Sequence, residues 1–270
     1  MEKAILFKIL QRRFKYRNPD NLTEIPLDLV YTRDEYLSAL EYLLTLKQMQ
    51  INFCHPEDPN YPAQFRRMKE PPLFFEYQGV PLWNEMRFLA VVGSREISPL
   101  TESWMKNQLP QFLRESGAGV VSGGARGVDQ LAHQIALKCE APTIVVLPSG
   151  LKNLYPRNLE DMRALLGDGK VCLFSEFEID QELRKSHFFF RNRSIAAFGG
   201  STLVTQAEIK SGSLLTVHHA LDIGKPVLTI PSHPELIGFS GNLNLLQEGA
   251  VSIKDGQALI DFWIAEVWSN

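Results

Sequence analysis

The chain has 270 residues, of which 44% are hydrophobic and 22% charged, with a formal charge of −3. That length suits one large α/β unit with a small extension, and the composition excludes collagen-like, disordered and disulfide-framework classes. The weak net charge excludes a basic field over the whole molecule, so any nucleic-acid site has to be a local patch.

The cysteines, Cys54, Cys139 and Cys172, lack metal-ligand spacing and read as reduced, mostly buried thiols of a cytoplasmic protein. No apolar run approaches a membrane span, and the N-terminus has no signal-peptide core. The expectations are therefore no membrane partner, no metal and no cofactor.

Residues 1–50 read as a helical N-terminal region. The apolar Ile5–Leu10 is followed by Arg12, Arg13, Lys15 and Arg17, a basic run that reads first as a solvated helix face. Pro19 and Pro26 break the pattern, Thr32–Glu35 resembles a capping box, and Tyr36 to Met49 carries helical periodicity. Asp58–Pro62 and Pro71-Pro72 are turn clusters, and Leu73–Tyr77 is a short strand ended by Gly79.

The main unit, 51–270 with a core at 88–255, alternates strand and helix. Phe88–Val92 is an unalternating apolar run, as in a strand buried on both faces. Ser98 and Pro99 start a helix that stops at Gly117. Strand 119–121, helix 128–137, strand 143–147, helix 158–166 and strand 171–174 follow, then a polar loop at 175–187. Strand 201–205, helix 213–223, strands 226–230 and 250–253 and a C-terminal helix complete the chain. This order predicts an α/β fold with a doubly wound, mostly parallel Rossmann-like sheet, whose ligand lies beyond the carboxyl ends of the strands.

Chemistry concentrates at those ends. The stretch Ser122-Gly123-Gly124-Ala125-Arg126-Gly127 joins a strand to a helix, and such a turn bares backbone N–H groups for an anion, with Arg126 in its middle. Gly93-Ser94-Arg95 ends another strand, and Lys210-Ser211-Gly212-Ser213 opens another helix. Residues 184–193 hold Arg184, Lys185, Arg191 and Arg193 around Phe188, Phe189 and Phe190, with no acid. Cations beside aromatics are the ingredients of a single-strand groove, although Phe188–Phe190 also suit a core. No nucleophile elbow, phosphate-binding P-loop or metal motif is present, His133 falls on the apolar rhythm of its helix, Asp129 suits a cap or a partner for Arg126, and Glu176 is a carboxylate without an evident partner. No catalytic residue is expected.

Gly93–Arg95, Ser122–Asp129, Ala132-His133, Gly150-Leu151 with Tyr155-Pro156, Ser175-Glu176, Arg191–Arg193 and Ser211–Leu214 together resemble the DNA processing protein A (DprA/Smf) family over roughly residues 50–255. The resemblance implies a cytoplasmic homodimer that binds single-stranded DNA without sequence preference, protects it and loads the RecA recombinase on it during natural transformation, without catalysis. It also implies that Arg95, Arg126, Lys185 and Asn192 meet DNA, with Arg191 and Arg193 alongside. The expected DNA-binding set thus comprises Gly93, Ser94, Arg95, Ser122, Gly123, Gly124, Arg126, Gly127, Lys185, Phe188, Arg191, Asn192, Arg193, Ser211, Gly212 and Ser213. The family pattern has proline at Phe189, glutamate at Gln206, glycine at Ser232 and glycine at Asn242, which puts the loop 231–244 in question. A C-terminal winged helix is not expected. The alternatives are a nucleotide-binding sensor and a nucleoside-monophosphate phosphoribohydrolase-like enzyme on the same fold.

Overall fold

A computed structural model describes residues 1–14, 30–156 and 159–268, with Val267 and Trp268 described by their backbone alone. The predicted features at Lys15, Arg17, Pro19 and Pro26, and the start of the helix expected at Asn158, lie outside the described residues. The helices are α1 (Glu2–Phe14), α2 (Arg33–Gln48), α3 (Pro99–Ser116), α4 (Val128–Lys138), α5 (Glu160–Arg163), α6 (His187–Phe198), α7 (Leu214–Asp222), α8 (Ser240–Gln247) and α9 (Gly256–Trp268). The strands are β1 (Asn52–Cys54), β2 (Phe75–Gly79), β3 (Phe88–Val92), β4 (Gly119–Ser122), β5 (Thr143–Val146), β6 (Val171–Ser175), β7 (Gly199–Val204), β8 (Val227–Thr229) and β9 (Val251–Ser252).

The strands form one sheet in the order β1-β2-β6-β5-β4-β3-β7-β8-β9. Pairings from β6 across to β9 are parallel, while β1 and β2 add an antiparallel edge. β3 lies between β4 and β7, so the winding reverses there and opens a crevice at the strands' carboxyl ends. The predicted α/β, doubly wound, mostly parallel sheet is the observed fold.

Local signals act where the sequence places them. Ser98 Oγ accepts from the Thr101 N–H at 3.2 Å, and Gly117 closes α3 at φ 64°. Thr32 and Glu35 form both bonds of the capping box on α2. Four readings need correction. β2 starts at Phe75 rather than Leu73, the helix expected at 158–166 is only α5 with a short 3-10 turn at Leu166–Asp168, and α6 and α8 are helices that periodicity does not reveal. α6 is buried nearly all round from Arg191 to Phe198, so it carries no amphipathic stripe.

One sheet face packs against α6, α7 and the segment around Phe65, with Phe75, Phe174 and Phe198 at its centre. The other face packs against α3, α4 and α9. α1 and α2 join the sheet through Phe7, Leu43, Leu147 and Leu173. Gln11 Nε2 donates to Phe74 O and Glu176 O, both at 2.7 Å. Beneath it, the fully buried Lys8 ammonium lies 3.2 Å from Glu178 and 3.6 Å from Glu76. Burial pushes the Glu76 carboxyl up to about 7 against the pull of Lys8. The first helices are thus clamped to the sheet by a desolvated charge cluster.

Candidate nucleic-acid interface

A cleft of about 310 Å³ opens at the carboxyl ends of β3 and β7, between the start of α6 and the start of α7. Gly93, Ser94, Arg95, Phe188, Arg191, Asn192 and Lys210 to Ser213 line it, with Asp129 and Glu208 as the acids. Arg95 is exposed and half-buried Phe188 forms the floor. Their guanidinium-to-ring distance is 5.6 Å, and Arg191 lies 5.3 Å from the same ring. Tyr155 meets Phe188 edge-on at 6.3 Å. The fold therefore presents an aromatic plane among cations, suited to stacking one base beside a phosphate backbone.

The glycine-rich turn differs from the expected bare anion cradle. Asp129 Oδ2 accepts from the Gly123 and Ala125 N–H groups at 3.2 and 3.3 Å, so those two amides are satisfied within the protein. Asp129 therefore shapes the turn and faces the Arg191 charge rather than orienting Arg126. Burial raises its carboxyl above the ordinary range, and Arg191 and the two amides draw it back. Ser122 is fully buried and donates to Val91 O at 2.6 Å, which keeps it from any ligand. Gly124 and Gly127 adopt φ 69° and 81°, and the backbone of Ser94 and Arg95 lies directly against Gly127. The two strand-end loops thus brace each other, leaving Arg126 exposed at the tip.

The basic run on α6 divides by helical angle. Arg184 and Lys185 are exposed just before its first turn. Arg191 is only 6% exposed, and its guanidinium donates to Gly123 O at 2.6 Å, Val146 O at 3.3 Å and Asn192 Oδ1 at 2.9 Å. It is a brace under the cleft rather than a free phosphate ligand. Burial lowers its pKa to about 10, so it stays charged at neutral pH. Asn192 Nδ2 donates to Gly212 O at 3.3 Å, tying α6 to the start of α7. The structure does not bring Arg193 to the cleft: two residues beyond Arg191, it turns away and pairs with Glu176 at 2.6 Å. Glu176, without an evident partner in the sequence, also accepts from Ser194 Oγ. Phe189 and Phe190 likewise diverge from Phe188, so the three rings do not share one groove.

At the start of α7, the N–H groups of Leu214, Leu215 and Thr216 donate to the carbonyls of Ser211, Gly212 and Ser213. The Ser211 and Ser213 hydroxyls, 2.7 Å apart, and Lys210 are what this element offers a ligand. Lys152, also at a strand end, pairs with Asp180 at 2.9 Å.

Two residues that shape the site, Gln206 and Asn242, stood out in the sequence only as departures from the family pattern, with no role attached. Gln206 Oε1 accepts from Ser98 N–H at 2.9 Å and its carbonyl accepts from Ser94 N–H at 2.8 Å, which fixes the loop bearing Arg95. Asn242 is fully buried; its Oδ1 accepts from Ala207 N–H at 2.8 Å and its Nδ2 donates to Thr229 Oγ1 at 2.9 Å. Asn242 thus orders the ends of β7 and β8. His133 is fully buried, as its rhythm predicts, with Nδ1 2.7 Å from Thr143 Oγ1. No described helix is long and apolar enough to cross a membrane.

The family model for DNA recombination-mediator protein A matches residues 52–264. Protein Smf of Synechocystis sp. is 29% identical over 94% of this chain and 66% of its own length. Protein Smf of Escherichia coli is 32% identical over 80% of this chain and 60% of its own. The chain thus spans about two thirds of the length of these relatives or less. DNA processing protein A of Streptococcus pneumoniae superposes with a TM-score of 0.76 at 26% identity, covering 96% of this chain and 92% of that one. DNA processing protein A of Helicobacter pylori, whose structure is described for its single-stranded DNA binding mode, gives a TM-score of 0.70 at 28% identity, covering 80% of this chain and 97% of that one. With the sheet, the cleft and the match over 52–264 in agreement, the chain belongs to the DNA recombination-mediator protein A family.

Proposed function

We propose that this protein binds single-stranded DNA without sequence preference along the carboxyl-end cleft. The carrying observation is the Phe188 ring in the cleft with the Arg95 and Arg191 guanidiniums 5.6 and 5.3 Å from its centre and exposed Lys210 in the same lining; Arg126 and Lys185 are exposed on the glycine-rich turn and just before α6. Cations reading phosphates give no base information, and a ring stacks on any base. The binding mode described for the Helicobacter pylori relative supports the same reading. In this reading the protein is a cytoplasmic homodimer that protects incoming DNA and loads the RecA recombinase on it in natural transformation, and it catalyses no reaction.

The test is equilibrium binding of a dT oligonucleotide, its duplex and a mononucleotide, with the mixtures assayed for hydrolysis products. Tight binding of the single strand and weak binding of the duplex are expected. Equal affinity for both at matched salt overturns the reading. Preferred binding or cleavage of the mononucleotide moves it to a nucleotide sensor or a hydrolase.

A further inference from the structure

Around α6 from the cleft lies a second cavity, of about 270 Å³. Phe188 and Phe189 are consecutive on this helix, so their rings diverge by roughly 100°. Phe188 lines the cleft, while Phe189, 48% exposed, lines the second cavity with Arg193, His219 and Asp222. Lys69 and Glu70 close its rim, so the charged groups around it balance and do not select an anion.

Two polar atoms here lack partners among the described residues: Arg193 Nε and His219 Nε2. Arg193 is itself only 6% exposed, and its terminal nitrogens are held by Glu176 and Glu70. The His219 ring meets Phe189 edge-on at 4.8 Å. Burial, then the Arg193 charge, holds the His219 pKa below the ordinary range, so the imidazole is neutral at pH 7. A neutral imidazole accepts at one nitrogen and donates at the other, so the unpartnered Nε2 offers one hydrogen bond. An unpartnered guanidinium N–H, an unpartnered imidazole nitrogen and a half-exposed aromatic ring therefore line one neutral cavity. Its volume falls just under the roughly 300–1,000 Å³ of sites for drug-sized ligands, which suits a single ring system.

We infer that this cavity receives one nucleobase, stacked on Phe189 and bonded by Arg193 Nε–H and His219 Nε2. The inference rests on the single-strand reading: a strand leaving the cleft over the first turn of α6 passes from Phe188 to Phe189. A free nucleobase offers the same chemistry, and the experiment separates the two sources.

Affinity for a dT oligonucleotide is measured against salt for the wild type, Phe189→Ala, Phe189→Trp and His219→Leu, with adenosine titrated in parallel and each melting curve recorded. Phe189→Ala is expected to weaken strand binding about tenfold with the salt slope unchanged, since stacking releases no counterions. Phe189→Trp is expected to retain affinity, and His219→Leu to lose several-fold. An unchanged affinity in folded Phe189→Ala, or a loss in folded Phe189→Trp, overturns the inference. Should Phe189→Ala not fold, unchanged affinity in His219→Leu overturns it. A wild type that ignores the strand refutes the single-strand reading; adenosine binding that Phe189→Ala abolishes then assigns the cavity to the free base, and the absence of adenosine binding refutes the cavity assignment as well.

Discussion

Arg191 and Gly123 are locked together: the guanidinium donates to the Gly123 carbonyl at 2.6 Å and fills the space a Cβ at position 123 would need. The first glycine of the glycine-rich turn therefore makes room for a buried cation from α6, and the turn and the cleft floor are one unit. Gly123→Ala is expected to displace the guanidinium and lower stability by about 2 kcal/mol, in the range for a hydrogen bond to a charged group. Urea denaturation with an unchanged midpoint would show that Arg191 relaxes freely.

Arg126 and Arg193 should separate in assay. Arg126→Ala removes an exposed cation from the turn tip. It is expected to reduce the salt slope on single strands by about 0.7 and to weaken all sequences alike, leaving the melting temperature in place. With Arg95, Arg126, Lys185 and Lys210 each neutralising a phosphate, the wild-type slope is expected near −3, at roughly −0.7 per contact. Salt titrations of the two proteins check both values.

Arg193→Ala leaves the Glu176 carboxylate, 4% exposed, without its cation. Loss of one partner of a buried pair costs about 3–5 kcal/mol, so a marked drop in thermal stability is expected with no change in salt slope. A stable variant with a reduced slope would instead place Arg193 on a phosphate.

His133 makes stability pH-dependent. Burial, then the nearby Arg191 charge, lowers its pKa to about 3 from the ordinary 6.5. The unfolded chain therefore binds a proton that the folded chain refuses. The stabilisation is complete above pH 6.5 and is lost as pH falls toward 3. His133→Asn is expected to flatten the acid side of the stability profile by about 1.4 kcal/mol per pH unit between roughly pH 6 and 4. Denaturation series at several pH values in that range measure the difference, and parallel profiles for the two proteins would refute it.

Helix α9 lays one face on the core. Leu259, Ile260 and Trp263 are buried, and Trp263 meets Phe112 edge-on at 5.3 Å, so this face packs inward. Ile264 is 50% exposed, and the side chains of Val267 and Trp268 lie outside the described residues. Ile264→Asp is expected to remain folded. Light scattering at micromolar concentration then tests the proposed homodimer: a monomeric wild type refutes it, and a variant that alone turns monomeric assigns Ile264 to the contact.

The sequence by itself determined the order of strands and helices from β3 to α9 apart from α6 and α8, because buried parallel strands read as apolar runs and caps such as Ser98-Pro99 and Gly117 mark ends locally. It also placed Arg95, Phe188, Asn192 and Ser211–Ser213 at strand ends, since parallel topology sends every such loop to one edge. Only the tertiary structure decided which cations are free. Arg191 and Arg193 look alike in the chain, yet helical angle and burial make one a brace for Gly123 and the other a partner of Glu176. The roles of Asp129, Gln206 and Asn242 were likewise decided by partners distant in the chain or across a turn, because a polar side chain removed from water must take whatever donor or acceptor the packing brings to it.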